Sequence, residues 1–241
     1  MATVFAPVHK LTPEEFQRGT AVTYLGQVPG TMAALRYMRP RNRGSIVSVG
    51  SALAYRSVPL QSIYCGAKFA IRGFLDALRS ELYHDKIKIT LTAVDLPAVN
   101  TPQFDWARNK MGKKARPVPP IFQPEVAARA IYFGAFHPRR QIWVGFPTVK
   151  AIIANRIAPG LLDRYLAKSG YTGQLSDQPS DPDAPGNLFE PVTGAYGAHG
   201  RFDDQARTTS WEMVAGRHPR AAWVAVLTGV TLVAYLLVTW L

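Results

Sequence analysis

An α/β fold with a parallel sheet is the architecture that this sequence predicts. Three short runs rich in β-branched or apolar residues, at 45–49, 88–94 and 141–146, are typical of strands. Segments with the apolar period of a helix separate them, at 62–83 and 124–136. Strands that alternate with helices of this length form βαβ units, in which the strands run parallel and the helices cross over the sheet.

Two further helices flank these units. Thr12, Pro13 and Glu15 mark the start of the first, because they suit the N-cap, the first and the third helical positions. This helix is expected to run to about Met38. The second is an amphipathic helix over residues 148–168.

The composition excludes several classes of protein. Of the 241 residues, 47% are hydrophobic, which excludes a disordered chain. The single cysteine, Cys65, excludes an internal disulfide framework and a multi-cysteine zinc site, and the five histidines lack metal-ligand spacing, so no metal is expected. The net charge is +12, but the basic clusters at 36–43 and 110–116 are not interleaved with stacking aromatics. A nucleic-acid partner is therefore not expected.

The amino-acid composition changes twice in the carboxyl-terminal third of the chain. Residues 170–219 are rich in Gly, Pro, Asp and Ser and predict an extended linker that docks locally through Leu188 and Phe189. Residues 221–241 carry no charge, and a helix of that length spans about 30 Å, the thickness of a bilayer core. Basic residues just before this run favour a cytoplasmic body. The predicted organisation is a catalytic portion at 1–169, a linker at 170–219 and a single-pass carboxyl-terminal membrane anchor at 220–241.

The residues that carry chemistry lie between Gly50 and Lys68. Ser51 follows a predicted strand at its carboxyl end, where open α/β sheets bind ligands. Tyr64 comes 13 residues later, and Lys68 lies one helical turn beyond it on the same face. A nearby ammonium lowers the pKa of a phenol, so Tyr64 could exchange a proton with an oxygen that Ser51 holds.

This arrangement resembles the short-chain dehydrogenase/reductase family, which has a strand-end serine and Y-x-x-x-K on the next helix. Two other segments match in the expected order: residues 96–102 resemble the P-G-x-x-x-T loop of the family, and residues 22–26 resemble its V-N-x-x-G segment. The resemblance covers about residues 1–150. It implies a Rossmann-like doubly wound parallel sheet and an enzyme that interconverts a small-molecule alcohol and a carbonyl compound with NAD or NADP.

The resemblance also implies a role for each matching residue. Tyr64 would be the general acid/base, Lys68 would lower its pKa and hold the ribose hydroxyls of the cofactor, and Ser51 would bind the reacting oxygen. Thr101 would contact the nicotinamide carboxamide, with Pro97 shaping the adjacent backbone. Apolar aromatics in the loop at 99–123, together with the membrane anchor, suggest a lipophilic substrate.

The chain departs from the family pattern in three places. Thr23 stands where the family has an asparagine that helps to hold a relay water, and Ala98 replaces a glycine. No Gly-rich turn for the cofactor pyrophosphate precedes Thr12, so the sheet is expected to be incomplete, without its N-terminal strands. Two alternatives to an enzyme follow, a catalytically inactive membrane-associated fragment and a basic membrane-surface binding module. The substrate, the choice between NAD and NADP, and homo-oligomerisation stay open.

Overall fold

Three parallel strands form the central sheet of the protein. The computed structural model describes residues 2–217. In chain order, all the strands of this part are β1 (Val4–Phe5), β2 (Gly44–Ser51), β3 (Ile89–Leu96), β4 (Arg108–Asn109), β5 (Lys113–Ala115), β6 (Ile121–Phe122), β7 (Gln141–Trp143), β8 (Leu175–Pro179) and β9 (Ala206–Arg207). The central sheet has the order β2-β3-β7, and β2 and β3 stay in register from Gly44↔Ile89 to Ser51↔Leu96.

Helices connect these strands and cover both faces of the sheet. They are α1 (Pro13–Thr20), α2 (Gln27–Met38), α3 (Ser62–His84), α4 (Gln103–Trp106), α5 (Pro124–Phe136), α6 (Phe146–Ile157), α7 (Pro159–Ser169) and α8 (Trp211–Arg217). Ile46 and Leu91 pack against α2 and α3, whereas Val47 and Val94 pack against α5. Neighbouring strand residues point to opposite faces, so β2 and β3 have helices packed on both sides. The predicted parallel, doubly wound sheet is thus confirmed.

The first predicted helix is interrupted. Thr12 caps α1 as predicted, since its Oγ1 accepts a hydrogen bond from the Glu15 amide at 3.2 Å and the Glu15 carboxylate accepts one from the Thr12 amide. Residues Ala21–Leu25 then form one π-helical turn before α2 begins. Such a turn inserts an extra residue into a helix and often lies near a functional site.

The predicted helix at 148–168 is two helices. Ala158 has φ −142° and ψ 63°, outside the helical region, and separates α6 from α7. Pro159 causes this break, because the residue before a proline is pushed out of the α conformation by the proline ring.

Residues 170–217 lie along the body of the protein. Strand β8 pairs antiparallel with β5, and β9 pairs parallel with β6. Leu188 is only 1% exposed and packs with Val4 and Ile63, whereas Phe189 is 48% exposed. The extended linker expected here therefore has short paired segments and one buried apolar contact. The domain limits at 169 and 219 stay predictions.

The predicted transmembrane helix and single-pass membrane location are corrected by the structure. Within residues 2–217 no helix is both long enough and apolar enough to cross a bilayer. The 23-residue helix α3 is long enough to cross a bilayer, but charged side chains such as Lys68, Arg72 and Asp76 make it too polar to do so. Residues 221–241, on which the prediction rested, lie outside the described part of the chain. Residues 2–217 therefore form an α/β sheet with helices on both faces.

Candidate functional site

Three of the predicted site residues meet at the carboxyl end of β2. Ser51 is the last residue of that strand, and Tyr64 and Lys68 lie in the first two turns of α3. All three are nearly buried, with exposed fractions of 7%, 9% and 7%. The strand end and the helix face together form one small, largely dry site.

The Ser51 hydroxyl is oriented by the backbone that follows it. Its Oγ accepts a hydrogen bond of 3.1 Å from the amide of Leu53, which caps a short 3₁₀ turn over Ala52–Ala54. The Ser51 hydroxyl also interacts with the Tyr64 hydroxyl and lowers the pKa of Tyr64. Because the Leu53 amide occupies a lone pair, the hydroxyl proton of Ser51 is free to point toward the Tyr64 oxygen.

Lys68 lies beside the Tyr64 ring. Its Nζ is 5.5 Å from the ring centroid and donates a hydrogen bond of 2.8 Å to the carbonyl of Val49. Burial lowers the pKa of Lys68 to about 8, and the Asp95 carboxylate opposes that shift. The amine is therefore charged at neutral pH and loses its proton under mildly alkaline conditions.

The pKa of Tyr64 moves in the direction opposite to the one predicted. Burial raises it to about 12, and the hydrogen bond from Ser51 offsets only part of this rise. The prediction from the sequence considered the neighbouring lysine and left out the cost of desolvating a phenolate. At neutral pH Tyr64 is a phenol, which equips it to donate a proton.

Pro97 and Thr101 follow β3 at the same edge of the sheet. Ser51 is in register with Leu96, so Pro97 lies one residue beyond the strand pair. Ala98 replaces the family glycine without strain, since its φ is not positive. Thr101 lies beneath the carboxyl-terminal segment, where the Gly200 amide donates to the carbonyl of its neighbour Asn100.

The Thr23 side chain forms hydrogen bonds with the amino-terminal segment. Its Oγ1 accepts a hydrogen bond of 3.0 Å from the Ala2 amide and donates one of 3.1 Å to the Ala2 carbonyl. The single proton of this hydroxyl is therefore used within the protein. This contact accounts for a threonine at the position where the family has a relay asparagine.

A buried carboxylate beside the site was missed by the sequence reasoning. Asp95 is 2% exposed and accepts a hydrogen bond of 2.9 Å from the Tyr55 hydroxyl. The guanidinium of Arg72 lies 4.2 Å from the centroid of the Tyr55 ring. Burial raises the pKa of Asp95 to about 6. The sequence signal that could have identified Asp95 was an acidic residue near the end of a largely apolar predicted strand.

Residues 2–111 match the family model described as short chain dehydrogenase. The oxidoreductase YxnA of Bacillus subtilis is 29% identical over 196 residues, which are 80% of this chain and 55% of that protein. The oxidoreductase YbbO of Escherichia coli is 25% identical over 176 residues, 68% of this chain and 63% of that protein. The chain thus spans between about half and two thirds of the length of these relatives.

Solved structures share the fold. A short chain dehydrogenase from Burkholderia cenocepacia, solved in complex with NADP, superposes with a TM-score of 0.56 at 18% identity, covering 68% of this chain and 65% of that one. A short-chain dehydrogenase from Streptomyces avermitilis gives 0.54 at 23% identity, covering 70% and 64%. At these identities the likeness establishes the arrangement of strands and helices.

Proposed function

We propose that the chain acts as a short-chain dehydrogenase/reductase, which interconverts an alcohol and a carbonyl compound with NAD or NADP. The observation that carries this proposal is that the buried side chains of Ser51 and Tyr64 interact at the end of β2, with the Lys68 amine 5.5 Å from the centroid of the Tyr64 ring. A hydroxyl, a phenol and an ammonium in one dry site can bind a carbonyl oxygen and move a proton to it.

The donors of the site fit the ribose end of a nicotinamide cofactor. An ammonium has three N–H donors, and Lys68 uses one of them on the Val49 carbonyl. The others suit the paired hydroxyls of a ribose. Val49 is 40% exposed at the edge of β2, which leaves this end of the strand accessible. Within residues 2–217 no Gly-rich strand-to-helix turn is present for the pyrophosphate, so only the ribose end is assigned here.

In the reductive direction, a bound nicotinamide cofactor would supply the hydride for the carbonyl carbon, and the side chains of this site would supply the proton. The carbonyl oxygen accepts hydrogen bonds from the hydroxyl groups of Ser51 and Tyr64. Tyr64 then transfers its proton to that oxygen. The resulting phenolate lies beside the Lys68 ammonium, whose charge stabilises it. In the oxidative direction the same phenolate takes the proton from the alcohol.

A lipophilic substrate is part of the proposal. The loop after β3 carries aromatic rings that pack together, with the Phe104 ring 6.2 Å from Phe5 and 6.0 Å from Phe202. Trp106 and Tyr196 form a further edge-to-face pair at 4.7 Å. These rings make the loop that follows β3 apolar. A series of ketones with lengthening alkyl chains tests this, and kcat/KM is expected to rise with chain length.

Removing the Ser51 hydroxyl tests its proposed function. Ser51→Ala is expected to lower NAD(P)H-dependent reduction of a ketone about 100-fold, since a hydrogen bond to the developing oxyanion is lost. Ser80→Ala provides the matched control, because Ser80 lies on the exposed face of α3 and its hydroxyl donates to the Asp76 carbonyl. Equal rates in the two variants would remove Ser51 from its role.

The titration of the Lys68 amine predicts how the rate of reduction depends on pH. The charged amine is needed beside the phenolate, and its pKa is about 8. Tyr64, with a pKa of about 12, keeps its proton well above that pH. The reductive kcat/KM should therefore be constant below pH 7 and fall as the pH rises through about 8. A profile measured from pH 6 to 10 checks this, and a constant rate up to pH 10 would contradict it.

A further inference from the structure

Asp95 lies directly beneath the loop that carries Ser51. It is in register with Gly50 in the β2–β3 pair. A side chain at position 50 would overlap the Asp95 carboxylate, so glycine is the residue that this approach requires. The carboxylate is thus packed against the backbone immediately before Ser51.

This carboxylate contacts both ends of the loop over residues 51–55. The Tyr55 hydroxyl donates a hydrogen bond of 2.9 Å to it at one end, and at the other end it lies against Gly50, where the Ser51 backbone lowers its pKa. A buried carboxylate costs free energy unless its oxygens are hydrogen-bonded or paired with charge. These contacts explain how Asp95 is tolerated at 2% exposure, and they fix the direction in which Ser51 leaves the strand.

The same carboxylate faces the Lys68 amine. Asp95, Lys68 and Arg72 line one small cavity between the sheet and α3. Asp76 and Arg79 line its far side and form an ion pair of 2.8 Å. The attraction of Asp95 raises the pKa of Lys68 and that of Lys68 lowers the pKa of Asp95, each against the effect of burial.

We propose that Asp95 is a positioning residue of the site, which holds the loop so that Ser51 faces Tyr64 and keeps Lys68 in its ammonium form. This inference rests on the proposed function, because an ammonium at position 68 matters for binding the ribose and stabilising the phenolate. Asp95 itself acts through Lys68 and the backbone of Ser51.

The test is a titration of Lys68 in the full chain without cofactor. Lysine is labelled with ¹³C at Cε, the Lys68 signal is assigned with a Lys68→Arg variant, and its shift is followed with pH by NMR. Asp95→Asn keeps the shape and removes the charge; its amide oxygen can accept one hydrogen bond, and its NH₂ group can donate to the Tyr55 hydroxyl. We expect the protonation constant of Lys68 to fall at least about threefold.

The matched control is Asp76→Asn. It removes the same charge two turns further along α3, about 12 Å from Lys68 along the helix axis. It should leave the Lys68 titration unchanged, as should Tyr55→Phe, which removes a hydrogen bond to Asp95 without removing charge. If Asp95→Asn folds and shifts Lys68 no more than these variants do, the proposal is overturned.

A reciprocal measurement covers the case in which Asp95→Asn does not fold. Coupling between two titrating groups is mutual, so Lys68→Met should move the titration of the Asp95 carboxyl to higher pH, measured at its ¹³Cγ. No movement would overturn the proposal. These readouts need no turnover. Coupling in a chain that reduces no ketone would reject the proposed reaction alone, whereas turnover without coupling would reject the role of Asp95 alone.

Discussion

Tyr64→Phe is expected to lower the kcat of ketone reduction by a factor of about 10²–10⁴, the range that general acid catalysis contributes. The substitution removes only the hydroxyl, and the buried ring can keep its place at the start of α3. The proton then has no donor at the carbonyl oxygen. Lys68 and its hydrogen bond to Val49 are unaffected, so the Kd for NADPH should change less than about twofold. Single-turnover rates and fluorescence titration of NADPH measure the two quantities.

Tyr83→Phe is the control for this prediction. Tyr83 lies on the same helix and is 75% exposed, so its hydroxyl touches neither the sheet nor the site. Its kcat should match that of the unmodified protein. A Tyr64→Phe protein that folds, binds NADPH and still turns over within tenfold of the control would show that another group donates the proton.

Most of the sheet and its crossovers could be predicted because their signals are local. The helix over 124–136 begins at Pro124 and ends at Phe136 as predicted, since a proline at the first turn is a strong start signal. The helix expected over 62–83 is found at Ser62–His84. The π-helical turn over Ala21–Leu25 has no such local signal, and its residue Thr23 contacts Ala2, which is far away in sequence.

The same difference between local signals and long-range contacts decides which residues of the candidate site could be predicted. Ser51, Tyr64 and Lys68 could be placed together because a strand end and one helical turn fix their relative positions. Asp95 could not be placed in the site from the sequence, because it is 40 residues from Tyr55 in the chain. The two residues meet only because β2 pairs with β3. Nor could the raised pKa of Tyr64 be foreseen, because it depends on burial by residues distant in sequence.

Composition also misled the interpretation of residues 170–217. Gly, Pro and Asp favour loops, and the paired strands here are only two to five residues long, too short for a periodic pattern. The segment is held instead by isolated contacts. The Leu188 side chain is buried against Ala2, Val4 and Ile63, and its carbonyl accepts a hydrogen bond of 3.1 Å from Arg18.

Leu188→Ala is therefore expected to destabilise the protein by about 2–4 kcal/mol, the usual cost of removing a fully buried leucine side chain. Leu188 packs on Ile63, the neighbour of Tyr64, so the loss reaches the start of α3. Urea unfolding followed by tryptophan fluorescence measures the change in free energy of unfolding. Limited trypsin digestion should in parallel cut faster at Arg201 and Arg207, which follow Leu188 in the same segment.

The adjacent residue offers a matched control for this prediction. Phe189 is larger than Leu188 but 48% exposed, so Phe189→Ala should cost less than about 0.5 kcal/mol although it removes more apolar atoms. The comparison separates burial from hydrophobicity, because a segment that only lay loosely along the surface would be insensitive to both substitutions. Equal, small losses in the two variants would mean that residues 170–217 are a linker after all, and that α3 is held without them.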